Sequence, residues 1–207
     1  MEKITMKEFQ DKSNIEIIKE LMKKNKGYIT SKELDMFDLH RMYLSIMQDK
    51  GIIQKVAPGI YIDVNIKKDN YYIFGLSMPN VIFSHMTALY FHGLSTKIPN
   101  CVYDITVKRS YNSTHLRKHN VFYVDNDIYE LGLTEIETPM GNKIKVYDIE
   151  RCICDIIRSK NRMDLKLVKS CVRKYIKSKD KDFTKLSLYA EKLGIKEVVI
   201  NFIDMML

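Results

Sequence analysis

Residues 27–63 read GYITSKELDMFDLHRMYLSIMQDKGIIQKVAPGIYID, so a helix stop, two helix starts, a second stop and a hairpin turn follow one another with almost no spacer. Ser13 and Glu16, just upstream, have capping-box spacing, and the apolar positions Ile17, Ile18, Leu21 and Met22 behind them predict a first helix that Gly27 ends. Thr30 and Glu33 repeat the box before Leu34, and Asp38 is placed to cap a third helix that stops at Gly51. Strands at 52–56 and 60–63 follow, joined through Ala57-Pro58-Gly59, where proline sets φ for the first central turn position and glycine accepts positive φ at the second. Three short helices and then a hairpin is the order of a winged helix-turn-helix.

In the third helix Leu39, Met42, Tyr43, Ile46 and Met47 fall at i, i+3, i+4, i+7 and i+8, a stripe expected to pack on the first two helices. His40, Arg41, Ser45 and Gln48 are left on the other side. A guanidinium, an amide and a hydroxyl on one face can form the donor and acceptor pairs that distinguish base edges in a major groove. Lys55, beside the turn, is within reach of a phosphate. These five residues are the expected contacts to double-stranded DNA; the alternative is a solvated face on a module that only binds protein.

The chain has 207 residues, enough for one large domain or two small ones. The expected division is a DNA-binding domain at 1–70 and a larger domain at 71–207, with the boundary in the charged stretch 65–70. No apolar run is long enough to span a bilayer, and the lysine-bearing amino terminus has no signal-peptide core, so a cytoplasmic location is expected. The four cysteines fit that compartment. Cys152 and Cys154 point to different sides of a probable helix, Cys101 and Cys171 are isolated, and buried thiols are the expected state. His85 with His92, and His115 with His119, have helical spacing but no cysteine or carboxylate nearby, so neither a metal nor a cofactor is expected.

Net charge is +2 over residues 1–70, −1 over 71–150 and +7 over 151–207. The last excess has a pattern. Asp164 caps a helix in which Leu165, Val168, Cys171, Val172, Tyr175 and Ile176 face inward, while Lys166, Lys169, Arg173, Lys174 and Lys177 line the outside. Such a one-signed stripe attracts a polyanion and steepens the salt dependence of binding, although most charge runs are solvated helix faces.

The middle of the chain alternates. PNVIFSHMTALYFHGLS predicts a short strand and a helix capped at Ser84 and ended near Gly93. Strands are expected at 102–107, 121–124, 133–137 and 143–146, and from Asp148 the pattern is helical apart from SKDKD and Gly194. The fold class is α+β, an amino-terminal winged helix-turn-helix followed by a larger mixed sheet-and-helix domain with a helical tail. Tyr90, Phe91, Tyr103, Phe122 and Tyr123 are expected in its core.

Two constellations in this region carry chemistry. Arg151 with Asp155 is i, i+4 and Asp155 with Arg158 is i, i+3, an ion-pair ladder of a few tenths of a kcal/mol per pair on a helix surface. With Glu150 they form either a structural ladder or a charged surface offered to a partner. Asp104, Asp125 and Asp127 sit near strand ends and are the material for a nuclease-like metal site; solvated strand ends are the simpler reading. A phosphate-binding Gly-rich loop and a nucleophile elbow are absent from the sequence, so no enzymatic activity is expected.

GYITSKEL and GIIQKVAPGIYI at the amino terminus, then FSHMTALYFHGLS, YDITVKRSYN, TPMGNKIKVYDIERCICDIIR and LYAEKLGI, occur in an order that resembles the AbiEi-type antitoxins. These are the antitoxin half of a bacterial abortive-infection toxin-antitoxin pair directed against bacteriophage. The resemblance covers nearly the whole chain. It implies a repressor of its own operon that binds promoter inverted repeats through the winged helix, with cooperative binding aided by the second domain. It further implies an antitoxin that counteracts a nucleotidyltransferase toxin without a stable complex. A winged-helix regulator or interaction scaffold unrelated to a toxin is the alternative, with a metal-dependent nuclease behind it.

Overall fold

The computed structural model describes residues 13–206. The stretch on which the missing signal peptide was read, residues 1–12, lies outside the described residues. Both amino-terminal capping boxes form: Glu16 and Glu33 each reach back to the amide of Ser13 and Thr30, at 2.8 and 2.7 Å. They start α1 (Asn14–Lys24) and α2 (Ser31–Met36). Lys26 and Gly27, both at positive φ, end α1, with the Gly27 amide donating to the Met22 carbonyl at 2.7 Å. Between the helices lies β1 (Tyr28–Thr30), too short to have been read from the sequence. The hairpin strands β2 (Ile53–Ala57) and β3 (Ile60–Asp63) complete an antiparallel sheet in the order β1-β3-β2.

Gly59 shows why the turn has its sequence. Its φ is +70°, a Cβ there would lie 2.6 Å from Ser31 Oγ, and its carbonyl accepts the Ser31 amide at 2.8 Å. The hairpin tip is therefore pinned to the start of α2. Only a residue without a side chain tolerates both the left-handed backbone and that approach.

The third helix departs from expectation. Asp38 does not cap it but takes a left-handed backbone at φ 53°, and the Leu39 amide closes back on Leu34 at 2.9 Å. The chain spends residues 38–41 on that turn, so α3 runs Met42–Asp49, with Arg41 before it lacking any side-chain cap bond. The later start rotates the buried stripe. Leu44 joins Met47 in the core, whereas Met42 is 51% exposed. Ile17, Ile18, Leu21, Ile29, Leu34, Leu44, Met47 and Ile53 form one apolar cluster.

The chain divides into two compact units after Met78, not in the charged stretch 65–70. The reason is α4 (Asn70–Ser77), N-capped by Asp69, which packs on β2 and β3, while the Tyr28 hydroxyl accepts the Asp69 amide at 3.0 Å. Residues 71–78 carry no charge, so the first unit keeps its net +2.

The second unit is α+β. Its sheet runs β6-β5-β4-β8-β7, from β4 (Ile82–Phe83), β5 (Asp104–Lys108), β6 (Asn120–Val124), β7 (Leu133–Glu137) and β8 (Lys143–Tyr147). β4 is antiparallel to β5 and parallel to β8, β5 is parallel to β6, and β7 and β8 are antiparallel. The short helices α5 (His85–Phe91) and α6 (Asn126–Tyr129) connect strands. The tail holds α7 (Ile149–Arg158), α8 (Leu165–Lys177), α9 (Phe183–Lys192) and α10 (Lys196–Asp204). Helix α7 is the hub and touches α5, α8, α9 and α10. Among the described residues no helix is long and apolar enough to cross a membrane.

Several burial expectations fail where the side chain sits at an element end. Leu165, at the first position of α8, and Tyr123, facing out of the edge strand β6, are exposed, and Cys101 is an exposed loop thiol. Cys152, Cys154 and Cys171 are buried, and burial raises the pKa of each thiol, that of Cys154 to about 12.

Candidate nucleic-acid interface

Ser45 and Gln48 lie on the exposed side of α3, one turn apart, and Lys55 is exposed on β2 opposite Tyr61. His40 and Arg41 precede the helix. The two are not free on its face. His40 Nδ1 accepts the Met42 amide at 3.1 Å, satisfying a helix-start donor that Asp38 was expected to cap. Arg41 forks onto Asp35, with Nε 3.0 Å from Oδ1 and Nη2 bound to Oδ2. The bond to Arg41 holds the Asp35 carboxyl below its ordinary pKa. Both side chains are well exposed, so solvent screens the pair and the guanidinium can be handed from Asp35 to another acceptor. Asp35 is the residue that sequence reasoning missed: six positions separate it from Arg41 across a turn, a spacing with no helical meaning. An open depression of about 470 Å³ is lined by Asp35, Asp38, Leu39, His40 and Arg41 at this corner.

No protein-family model and no curated protein matches this chain. A solved structure of similar outline is that of the Rv2827c protein from Mycobacterium tuberculosis, 8% identical. The match covers 91% of this chain and 79% of that one, with a TM-score of 0.48.

In the second unit, Lys166, Arg173, Lys174 and Lys177 are exposed along α8, and Lys169 is half-buried. Asp164 caps that helix through the amides of Lys166 and Leu167, as its sequence predicts. Val168, Cys171, Val172 and Tyr175 form its buried side. The helix thus presents cations along one flank over an apolar base.

Glu150, Arg151, Asp155 and Arg158 do not form a surface. Arg151 and Asp155 are both 0% exposed and Glu150 is buried; Arg158 alone is part-exposed. Arg151 Nε donates to Asp155 at 3.0 Å, and its Nη1 donates to the carbonyls of Ile128 and Leu131 at 2.7 Å each. Its guanidinium stacks over the Tyr147 ring at 4.3 Å. Arg158 completes the group with a 2.9 Å bond to Asp155. Glu150 and Asp148 meet Lys185 of α9 at 3.4 and 2.9 Å. The ladder foreseen from spacing is real, but the helix carrying it is surrounded, so a charged surface for a partner is replaced by a buried clamp. Burial pushes the Asp155 carboxyl up against the pull of Arg151 and Arg158.

The other titratable residues are structural in the same way. His85 is buried, stacked 3.4 Å from Phe122, with Nδ1 2.9 Å from Ser84 Oγ. Thr106 donates to that same Ser84 oxygen at 2.9 Å, and Nε2 lies 3.3 Å from Ser159 Oγ, so both ring nitrogens have a hydroxyl partner. His92 Nε2 donates to the Tyr147 carbonyl, and His119 Nδ1 accepts the Tyr103 amide. Asp104 begins β5 opposite Asn120, whereas Asp125 follows the far end of β6. Asp125 stands five residues beyond Asn120, about 17 Å along the strand. Asp104 is buried and receives Met86 N–H and Asn120 Nδ2, and Asp125 is exposed and paired with Arg109. Strand direction thus rules out the metal site built on Asp104, Asp125 and Asp127.

Proposed function

We propose that the first unit is a winged helix-turn-helix that binds duplex DNA, and that the chain is the antitoxin and autorepressor of an AbiEi-type abortive-infection operon. The observation that carries the DNA reading is the exposed pair Ser45 and Gln48 on α3, followed directly by a rigidly pinned hairpin bearing Lys55. A helix with free hydroxyl and amide groups enters a major groove, and a lysine on the neighbouring wing meets the phosphate backbone. Arg41 exchanges Asp35 for a base or phosphate on binding. The cations of α8 add electrostatic grip from the second unit, since the first carries only +2. The antitoxin half rests on the sequence resemblance, with a nucleotidyltransferase toxin as functional partner and the cytoplasm as its place. No catalytic activity and no cofactor belong to this reading.

The test is footprinting on the DNA upstream of the chain's own gene. Protection of an inverted repeat is expected, with selectivity for it over random duplex lost in the Ser45→Ala, Gln48→Ala double variant. A Lys169→Glu, Arg173→Glu variant is expected to bind more weakly with a flatter salt slope. Equal affinity for the upstream region and random duplex refutes autorepression. Absence of a nucleotidyltransferase-like reading frame beside the gene, or failure of co-expression to relieve the toxicity of one found there, refutes the antitoxin half alone.

A further inference from the structure

One face of the five-stranded sheet holds a pocket of about 390 Å³, and strand register explains its lining. Ile82 pairs with Thr106 on antiparallel β5, so Lys108, two residues on, lies on the same face. Phe83 pairs with Val146 on parallel β8, which sets Lys145 level with Ile82 and on that face too. Ile82, Lys108 and Lys145 all line the pocket, and Tyr129 and Glu130 line it from the end of α6.

The α6 wall is fixed from behind. Arg151 binds the carbonyls of Ile128 and Leu131, and the buried Tyr147 hydroxyl donates to the Tyr129 carbonyl at 2.6 Å. On the pocket side the Tyr129 hydroxyl donates to the Asn80 carbonyl at 2.8 Å. A wall held by four hydrogen bonds, all from buried residues, is preorganised.

The lysines are held by neutral groups. Lys145 Nζ donates to the Pro79 carbonyl at 3.1 Å, and Lys108 Nζ sits 5.0 Å from the centre of the Tyr129 ring. Among the described residues neither ammonium has a carboxylate partner. Their strands are separated by β4, about 10 Å between backbones, so the two long side chains flank one concavity. A volume of 390 Å³ is in the range of small-molecule sites. Two lysines without a bonded carboxylate, against the single carboxylate Glu130 in the lining, favour an anion, and lysine binds phosphate as a point charge.

We propose that this pocket binds a phosphorylated small molecule of about mononucleotide size, with Lys108 and Lys145 on the phosphate and Glu130 accepting from a hydroxyl or amino group. The proposal lies wholly in the second unit and is independent of DNA binding by the first.

Titration calorimetry of the full chain at low salt tests it with inorganic phosphate, a nucleoside and the matching nucleoside monophosphate. Saturable binding of the monophosphate is expected, weaker binding of phosphate alone, and a loss of at least tenfold in Lys108→Gln and in Lys145→Gln. Nucleoside binding as tightly as the monophosphate overturns the proposal, as does unchanged affinity in both variants or no saturable binding of either phosphate probe at millimolar concentration. A readout on the unaltered protein stands beside the variants. Amide shifts on adding the monophosphate are expected at Ser110, Tyr111 and Glu130, and shifts confined to α8 refute the site.

Discussion

Arg41 and Arg151 each hold an aspartate, one at the corner between α2 and α3 and the other inside the helical tail. Arg41 and Asp35 both face water, so their attraction is screened and either can take another partner. Arg151 and Asp155 have no exposure at all, and every alternative partner of Arg151 is another group of the same fold. The chemistry of the two pairs is the same. Their surroundings make the first available for recognition and the second a fixed part of the core, where removing either charge strands the other.

The comparison breaks if Arg151→Ala leaves the second unit intact. Removing one partner of a buried pair destabilises by about 3–5 kcal/mol, and here it also frees the carbonyls of Ile128 and Leu131. Urea unfolding followed by tyrosine fluorescence is expected to show that loss. A shift below 1 kcal/mol contradicts the buried clamp.

A smaller effect comes from pH. His85 is held neutral, its pKa lowered well below the ordinary value by burial and then by Arg158, Arg151 and Arg162. Below about pH 6.5 the unfolded chain takes a proton that the native state refuses, so stability falls on acidification by up to about 1.4 kcal/mol per pH unit. Asp104 and Asp155, whose carboxyls are raised by burial, act in the opposite sense. The diagnostic quantity is therefore the difference between the native chain and His85→Gln across pH 7 to 5. That difference should narrow as pH falls, and parallel curves exclude His85 as the source.

Arg41→Ala sharpens the other side of the comparison and should have the smallest effect on the fold. The unfolding midpoint is expected to stay unchanged, while affinity for the cognate repeat drops about tenfold or more, as for loss of a base contact. A change in midpoint without a change in affinity, measured by gel shift, reverses the roles assigned to the two arginines.

The two pairs also differ in how they could be read from sequence. Arg151, Asp155 and Arg158 stand at helical spacings, so their bonding was legible. Their burial was not, because it depends on α5, α8, α9 and α10 closing around α7. The spacing alone supports only a surface value of a few tenths of a kcal/mol, whereas breaking a buried pair is expected to cost about 3–5 kcal/mol. The sequence marks Arg41 as an exposed cation and carries no sign of Asp35 as its partner. The phase of α3 failed for one local reason: Asp38 adopts φ 53° and delays the helix, exchanging Met42 for Leu44 in the core. Lys108 and Lys145 carried no mutual signal, since strand pairing through β4 alone brings them to one pocket.

The amino-acid sequence by itself determined what neighbours along the chain can settle: the Thr30–Glu33 and Ser13–Glu16 caps, the Pro58-Gly59 turn, the Asp164 start of α8 and the alternation that makes the second unit α+β. These rest on hydrogen bonds and dihedral limits within a few residues. The tertiary structure decided which charges lose water, which strands share an edge and where the two units divide. Those outcomes depend on desolvation and on pairing between distant segments, whose free energies exist only once the segments meet.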